Sequence, residues 1–477
     1  MFRPLTCAVI VGLATVVLTE AAPKLMEPAE RLAQLKAQAA TGQKGVPALL
    51  AALKDPQAQV RVAALELLAS LEGRAAIPEI APLVLDREDA VAVRAVGALF
   101  ELGGDQTTAP LKTAFHSPSA RVRTETASLA GDARASRFIA DLGALLSDEL
   151  PGVRRTAVEA LRAIGDPATL PFLMAATGDG KAAIAASAIA GLDNLKDPRA
   201  LARIAPLSGA LSPEVRAAVA HAIPALRGLT TYAALFLQLA QDPDKGVRLA
   251  AATGLRDAAT QEAGPGLALL VADPDPGVRR LAVQALREQK GPVATAALAA
   301  VLNDPDENVR ASAVLALGRR AATDQAGRVA AFALDPSERV RAAVASTLGD
   351  FGRVEDLAAL KALAADPVAN VRAAAVVAAA RIGTAAALPI VSTGTKDAEP
   401  LVRLETVRAL GLLDQPEALA RLRELATAGD LASRIAAIDQ LGARKDRGAI
   451  TLLRKLARDP VETLRSAARR ALETIGA

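Results

Sequence analysis

The side chains that most often act as nucleophiles, bases or metal ligands are scarce in this 477-residue chain. It contains two histidines, His116 and His221, and a single cysteine, Cys7. A Ser–His or Cys–His pair therefore has almost no residues from which to form, and zinc clusters are excluded for the same reason. The glycine-containing stretch 177–181 lacks the spacing of a phosphate-binding loop. We expect a protein that is not an enzyme and that holds no cofactor and no metal.

The elements that position the remaining side chains repeat with a period of 31 residues. Val-Arg or a related dipeptide recurs along the chain, Ala185 replaces the arginine once, and ten of the thirteen intervals are 31 residues long. A single structural unit is therefore stacked end to end. The recurring arginines are Arg61, Arg94, Arg123, Arg154, Arg216, Arg248, Arg279, Arg310, Arg341, Arg372, Arg403, Arg434 and Arg465.

Each period predicts two helices joined by short turns. In residues 304–318, Asp304 is a good N-cap and Pro305 suits the first helical position. Gly318 is placed to end this second helix through a left-handed cap. The preceding residues 291–303 carry an apolar stripe at helical spacing and predict the first helix of the pair.

Columns of equivalent residues predict which positions are buried. Three residues after each arginine nearly all side chains are small, and seven residues after it most are Leu or Ile, as at Leu317. We expect these two columns to form the core between layers. Five residues after the arginine, a column that includes Leu99 and Leu315 shares no chemistry. This column is predicted to face solvent and to contact a partner.

The N-terminal residues predict a targeting segment followed by a capping helix. Arg3 precedes an apolar run over residues 4–18, too short to span a bilayer as a stable helix, so residues 1–21 are typical of a signal peptide. Cleavage would remove Cys7 and leave a mature chain with no transmembrane segment. We expect the protein to be exported to the periplasm or the extracellular space; an uncleaved anchor on a cytoplasmic scaffold is the alternative. Residues 22–44 would then form an N-terminal capping helix and residues 45–477 the repeat array.

The repeated pattern Asp-Pro-x-x-x-Val-Arg-x-x-Ala-x-x-Ala-Leu resembles HEAT repeats, and in particular the short class named after phycobilisome lyases. The resemblance covers about residues 45–477 and implies an all-α fold, an α-solenoid superhelix of about fourteen helical pairs whose second helices line its concave side. It also implies a ladder in which the Asp of each turn and the Arg of the motif link successive repeats. The residues assigned to this ladder are Asp242, Arg248, Asp273, Arg279, Asp304, Arg310, Asp335, Arg341, Asp366 and Arg372.

The charges favour a structural role for the row of arginines over a track for nucleic acid. Apolar residues surround each arginine, and 56 basic residues against 52 acidic residues give a net charge of only +4. We therefore expect no nucleic-acid partner. Residues 444–470 do carry nine basic residues against three acidic ones. This region would dock an acidic partner or anionic lipid, or it is the polar outer face of a terminal repeat.

Function is predicted only as binding. A scaffold or adaptor in the cell envelope that presents a concave surface to a protein partner is favoured, and the alternative is an accessory or lyase-like subunit acting on a tetrapyrrole- or haem-carrying protein. Irregular repeats near Ala185 and residues 229–232 indicate either a hinge or sequence drift. The sequence leaves the oligomeric state open. The candidate partner-binding residues are His221, Tyr232, Arg408, Asp439 and Arg470.

Overall fold

The fold is an all-α solenoid of stacked helical pairs. The computed structural model describes residues 28–71, 73–258, 261–289 and 291–477, so the predicted signal peptide, residues 1–21, lies outside the described residues. The chain divides into two compact units, Met1–Ile164 and Gly165–Ala477. Both units consist of helices joined by short turns, with about fourteen pairs in the described part of the chain.

The described part of the first unit begins with α1 (Pro28–Ala39), which lies before the helical pairs and occupies part of the predicted capping segment. Four helical pairs follow it, and in each pair the second helix is the longer. The first helices are commonly preceded or continued by 3-10 turns. The pairs are α2 (Val46–Ala52) with α3 (Ala58–Ser70), α4 (Ile77–Ile80) with α5 (Asp89–Leu102), α6 (Thr108–Phe115) with α7 (Ala120–Asp132), and α8 (Ile139–Leu145) with α9 (Pro151–Ile164).

The second unit contains the remaining ten pairs and follows the same plan. Its pairs are α10 (Leu170–Ala176) with α11 (Ala182–Leu195), α12 (Leu201–Ile204) with α13 (Pro213–Ala225), α14 (Ala233–Leu239) with α15 (Lys245–Ala258), α16 (Gly264–Leu270) with α17 (Pro276–Glu288), α18 (Pro292–Ala300) with α19 (Glu307–Arg319), α20 (Ala326–Ala330) with α21 (Glu338–Phe351), α22 (Leu357–Leu363) with α23 (Ala369–Ile382), α24 (Leu388–Thr393) with α25 (Pro400–Leu410), α26 (Pro416–Ala428) with α27 (Leu431–Ala443), and α28 (Ile450–Leu456) with α29 (Glu462–Ile475).

The second helix of the repeat that follows Asp304 begins later than the sequence predicted. Its N-cap is Asp306, whose carboxylate accepts hydrogen bonds from the backbone N–H groups of Asn308 (2.8 Å) and Val309 (3.1 Å). The prediction of Asp304 as the N-cap and of Pro305 as the first helical residue was wrong. Asp304 instead accepts the N–H of Asp306 and binds the side chain of Arg279, so its carboxylate is committed to the turn and to the previous repeat.

Gly318 lies inside α19 and does not end it, which corrects the predicted left-handed cap. The helix ends at Arg319, and the chain turns at Ala321, which has a φ of 49°. A Cβ on Gly318 would lie 3.0 Å from the hydroxyl oxygen of Thr347 in α21. At the equivalent place in α21, a Cβ on Gly349 would lie 2.7 Å from the Cα of Ala378. These glycines therefore let consecutive second helices approach closely.

The repeat register in α5 differs from the predicted one by two residues. Ala92 occupies the position equivalent to Arg61, whereas Arg94 points away and pairs with Glu101 of the same helix at 2.9 Å. Leu99, predicted to face solvent, is fully buried. An α-helix turns by about 100° per residue, so a two-residue offset moves a side chain to the opposite side. We call the corrected series the ladder positions: Arg61, Ala92, Arg123, Arg154, Ala185, Arg216, Arg248, Arg279, Arg310, Arg341, Arg372, Arg403, Arg434 and Arg465.

The core between layers contains the predicted Leu and Ile column. Within each unit, side chains seven residues after the ladder position pack where second helices of adjacent repeats meet. Leu472 in the last described layer is the exception and remains partly exposed. The prediction for this column is otherwise confirmed, since ten of its members have no solvent exposure: Leu68, Leu161, Leu192, Ile223, Leu255, Leu286, Leu317, Leu348, Leu410 and Leu441.

Candidate functional site

The column five residues after each ladder position faces solvent along the second helices. We call it the variable column, because its members share neither charge nor size. With Gly97 in place of Leu99, every member is exposed or half-exposed. The column therefore offers a different chemical surface at each layer, unlike the uniform columns of the core. Its members are Glu66, Gly97, Ser128, Glu159, Ala190, His221, Thr253, Gln284, Leu315, Ser346, Val377, Arg408, Asp439 and Arg470.

A groove of about 440 Å³ crosses this face between α17, α19 and α21. Leu315 and Ser346 of the variable column line it, and Leu315 is 44% exposed. Arg280 and Arg339 add two guanidinium groups to the lining. The groove thus combines apolar surface with positive charge, a combination suited to a peptide segment that carries apolar and acidic side chains.

Arg279 shows how an arginine at a ladder position joins two consecutive turns. The Nη1 group of Arg279 donates to the carbonyl oxygens of Asp273 (2.8 Å) and Pro274 (3.1 Å) in its own repeat. Its Nε and Nη2 groups donate to the two carboxylate oxygens of Asp304 in the next repeat, both at 2.7 Å. Both residues are buried. The hydrogen bond to Asp304 raises the pKa of Arg279 above its ordinary value, so this guanidinium stays charged.

The structure places all ten residues assigned to the ladder in this arrangement. Each aspartate receives the arginine of the preceding repeat, and its backbone carbonyl receives the arginine of its own repeat. These guanidinium groups are satisfied within the protein and do not form a free cationic track. The side-chain pairs that contain the assigned residues are Arg216–Asp242, Arg248–Asp273, Arg279–Asp304, Arg310–Asp335, Arg341–Asp366 and Arg372–Asp397.

His221, one of the predicted contact residues, lies between two carboxylates from neighbouring repeats. Its Nδ1 is 3.0 Å from an oxygen of Asp193 at the end of α11, and its Nε2 is 3.5 Å from an oxygen of Asp257 in α15. The hydrogen bond to Asp193 raises the pKa of His221 above its ordinary value of 6.5, although burial opposes the shift. Sequence reasoning missed both carboxylates, because they lie 28 and 36 residues away in other periods.

A pocket of about 690 Å³ adjoins this cluster. Lys196, Arg227 and Asp257 line it together with apolar residues such as Leu229. Tyr232 is not among the lining residues; it directly precedes α14, is half-exposed, and donates its backbone N–H to the carbonyl of Gly228 at 2.8 Å. The structure therefore does not bring Tyr232 into the same site as His221.

The three remaining predicted contact residues form ion pairs on the surface near the C-terminus. Arg408 pairs with Glu405 in α25 at 2.6 Å. Asp439 in α27 and Arg470 in α29 face each other at 3.5 Å. The latter two therefore belong to one surface pair that bridges the last two second helices. Exposed pairs of this kind contribute little to stability and leave the side chains available to a partner.

Among residues 28–71, 73–258, 261–289 and 291–477, no group of three or more His, Cys, Asp or Glu side chains could hold a metal ion. None of the helices in the described part combines the length and the hydrophobicity that a bilayer span requires.

The HEAT-repeat pattern is also found by comparison with known families. The family model named HEAT repeats matches this chain at residues 46–130, 111–193, 232–318, 295–380, 326–399 and 388–473. The chain therefore belongs to the HEAT-repeat family. No curated protein sequence matches it significantly.

Solved structures with a similar fold include karyopherins. Kap121p bound to Nup53p has a TM-score of 0.61 and 13% identity, over 94% of this chain and 64% of that one. Kap121p bound to RanGTP has a TM-score of 0.59 and 15% identity, over 94% and 57% of the two chains. A Kap95p complex with RanGDP has a TM-score of 0.58 and 12% identity, over 94% and 73%. The chain thus spans about three fifths of the length of the Kap121p chains, and identities this low show similarity of fold.

Proposed function

We propose that this HEAT-repeat chain is a non-catalytic scaffold that binds a protein partner through the variable column of its second helices. The observation that carries the proposal is the contrast between columns. Positions that face the core repeat the same residue types, whereas the exposed variable column changes at every layer. A surface with position-specific chemistry on a uniform frame suits recognition of one particular protein.

The fold comparison supports the class of partner. Kap121p, a solenoid of similar fold, is bound to Nup53p in one structure and to Ste12p in another. On this chain, the groove between α17, α19 and α21 is lined by two members of the variable column, Leu315 and Ser346. Leu315 offers apolar contact there, and Arg280 and Arg339 attract carboxylates. The partner segment that fits is therefore one with an apolar side chain next to acidic residues.

The binding proposal predicts different outcomes for two matched surface substitutions. A full-length chain with a C-terminal tag is cross-linked in the native envelope fraction, and captured proteins are identified by mass spectrometry. Leu315→Glu places a negative charge in the groove and is expected to lower recovery of the partner several-fold. Val293→Glu, in the first helix α18 at 59% exposure, is the control and leaves recovery unchanged.

Equal loss of the partner in both variants, or capture of no protein by the unaltered chain, contradicts binding through the variable column. Capture of a protein that carries a tetrapyrrole or haem would favour the accessory role instead. The two substituted residues, Leu315 and Val293, both belong to the second unit.

We further infer that the chain is exported, with the scaffold acting in the periplasm or outside the cell. Arg3, the apolar residues 4–18 and the small residue Ala21 support this inference. N-terminal sequencing of protein purified from its native source is expected to give a mature chain beginning at or near Ala22. A chain that retains residues 1–21 would indicate an anchored protein.

A further inference from the structure

At two junctions between consecutive second helices, both partners of the Arg–Asp pair are replaced by other residues. At the α5–α7 junction, Ala92 and Ser117 stand at the places of the arginine and the aspartate. At the α11–α13 junction, Ala185 and Ala210 stand there. None of these four side chains can form an ion pair, so each junction depends on other contacts. The second gap also lies next to residues 194–231, which fall between the HEAT-repeat matches.

Aromatic rings provide contacts near the first gap. Phe100 of α5 packs edge-on against Phe138 with ring centres 6.0 Å apart, and Phe115 of α6 lies 5.4 Å from the same ring. Phe115 and Phe138 are fully buried. These contacts involve no titratable group, so their strength is independent of pH.

His221 provides the corresponding link at the second gap. Its ring nitrogens contact Asp193 of α11 at 3.0 Å and Asp257 of α15 at 3.5 Å, so one imidazole connects three consecutive second helices. Two cations face the same carboxylates: Lys196 pairs with Asp193 at 2.8 Å, and Arg256 pairs with Asp257 at 2.9 Å. The α13–α15 junction keeps its ladder pair, Arg216–Asp242, and the α11–α13 junction does not. The histidine therefore contributes most where the ladder is interrupted.

We propose that His221 is a proton-operated clamp that holds α11 against α13 when the imidazole is protonated and releases this junction when the proton leaves. The imidazolium donates to Asp193 and attracts Asp257. Neutral imidazole keeps one N–H, which can donate to only one of the two carboxylates, and it loses the positive charge that attracts both. Deprotonation therefore weakens an ionic link at a junction that has no Arg–Asp pair in the described structure.

The direction of the pH dependence follows from the two pKa shifts. The hydrogen bond to Asp193 raises the pKa of His221, so its contribution is fully present below about pH 6.5 and is lost as pH rises through the raised value. For Asp193, burial alone would raise the pKa, but hydrogen bonds from His221 and Lys196 lower it overall. The clamp is thus engaged in mildly acidic solution, persists until pH falls through the lowered pKa of Asp193, and opens as pH rises through the raised pKa of His221.

Amide hydrogen exchange of the full chain tests the clamp. Exchange rates of peptides from α11 and α13, corrected for intrinsic pH dependence, are compared at pH 5.5 and pH 8. The unaltered protein is expected to exchange several-fold faster in these helices at pH 8. Peptides from α19 and α21, which the Arg310–Asp335 pair joins, serve as the internal control and respond little.

Two variants separate the clamp from general effects of pH. His221→Gln is expected to exchange quickly in α11 and α13 at both pH values, because glutamine carries no charge. His116→Gln removes the other histidine, which is exposed at the end of α6, and keeps the response of the unaltered protein. A pH response that survives in His221→Gln, or that is equally large in α19 and α21, overturns the proposal.

A measurement on the unaltered protein covers the case in which His221→Gln does not fold. The ring protons of His221 are followed by NMR from pH 4.5 to pH 9. A titration midpoint above about 6.5 supports the clamp, and a midpoint at or below that value overturns it.

Discussion

Leu317→Asp is expected to lower the free energy of unfolding of the second unit by about 5 kcal/mol or more. Leu317 has no solvent exposure and lies in the column seven residues after the ladder position, between second helices of adjacent repeats. The substitution removes apolar packing and places a carboxylate where no cation is available. Urea denaturation followed by circular dichroism at pH 7.5 measures the loss.

Leu315→Asp is the matched control for this substitution. Leu315 lies in the same helix, two residues earlier, but belongs to the variable column and is 44% exposed. We expect a change of less than about 1 kcal/mol, because the new carboxylate remains hydrated. Similar denaturation curves for the two variants would contradict the assignment of the columns.

Arg279→Ala is expected to cost about 3 kcal/mol, the second largest effect. The guanidinium satisfies two turn carbonyls of its own repeat and both carboxylate oxygens of Asp304. Its side chain and that of Asp304 are 10% and 4% exposed, so removal leaves an unpaired charge in a nearly dry site. Thermal and urea denaturation both measure this loss.

The corrected register supplies an arginine control. Arg94→Ala removes an arginine that also follows a valine, but its partner Glu101 is 54% exposed and the pair lies on the surface of α5. The expected cost is below about 1 kcal/mol. A cost for Arg94→Ala that equals that for Arg279→Ala would show that Arg94 belongs to the ladder after all.

The fold could be predicted from the sequence because one unit recurs many times. Every copy of the pattern predicts the same helical pair, so a misassigned residue in one copy does not change the predicted fold. The exceptions occurred where one copy was interpreted by itself. In α5, the dipeptide Val93-Arg94 imitates the motif, although Val91-Ala92 fills its place. Spacing alone could have corrected this, because residue 92 lies midway between Arg61 and Arg123.

The details of the turns and of the candidate site were less predictable. Asp304 and Asp306 are both good N-caps by residue type, and only the contact with Arg279 decides between them. Glycine commonly ends helices, but the presence of Gly318 is explained by the close approach of Thr347 from α21. The neighbours of His221 depend on how helices from different periods stack, which no single period encodes. The partner could not be predicted, because it is recognised by exposed residues and these follow no repeated pattern.

The pair formed by Arg31 and Asp55 shows how the array can change length. Arg31 lies in α1, outside the helical pairs, yet it binds the aspartate of the first turn at 2.6 Å, much as a ladder arginine of a preceding repeat would. α1 therefore presents to the first turn the same contact that a preceding repeat makes with a turn that carries an aspartate. Duplication or deletion of one whole period restores all these contacts, whereas a shift of a few residues breaks them. Gain or loss of one whole repeat thus preserves the type of contact at the new junction, and the span of the proposed binding surface can evolve independently of its chemistry.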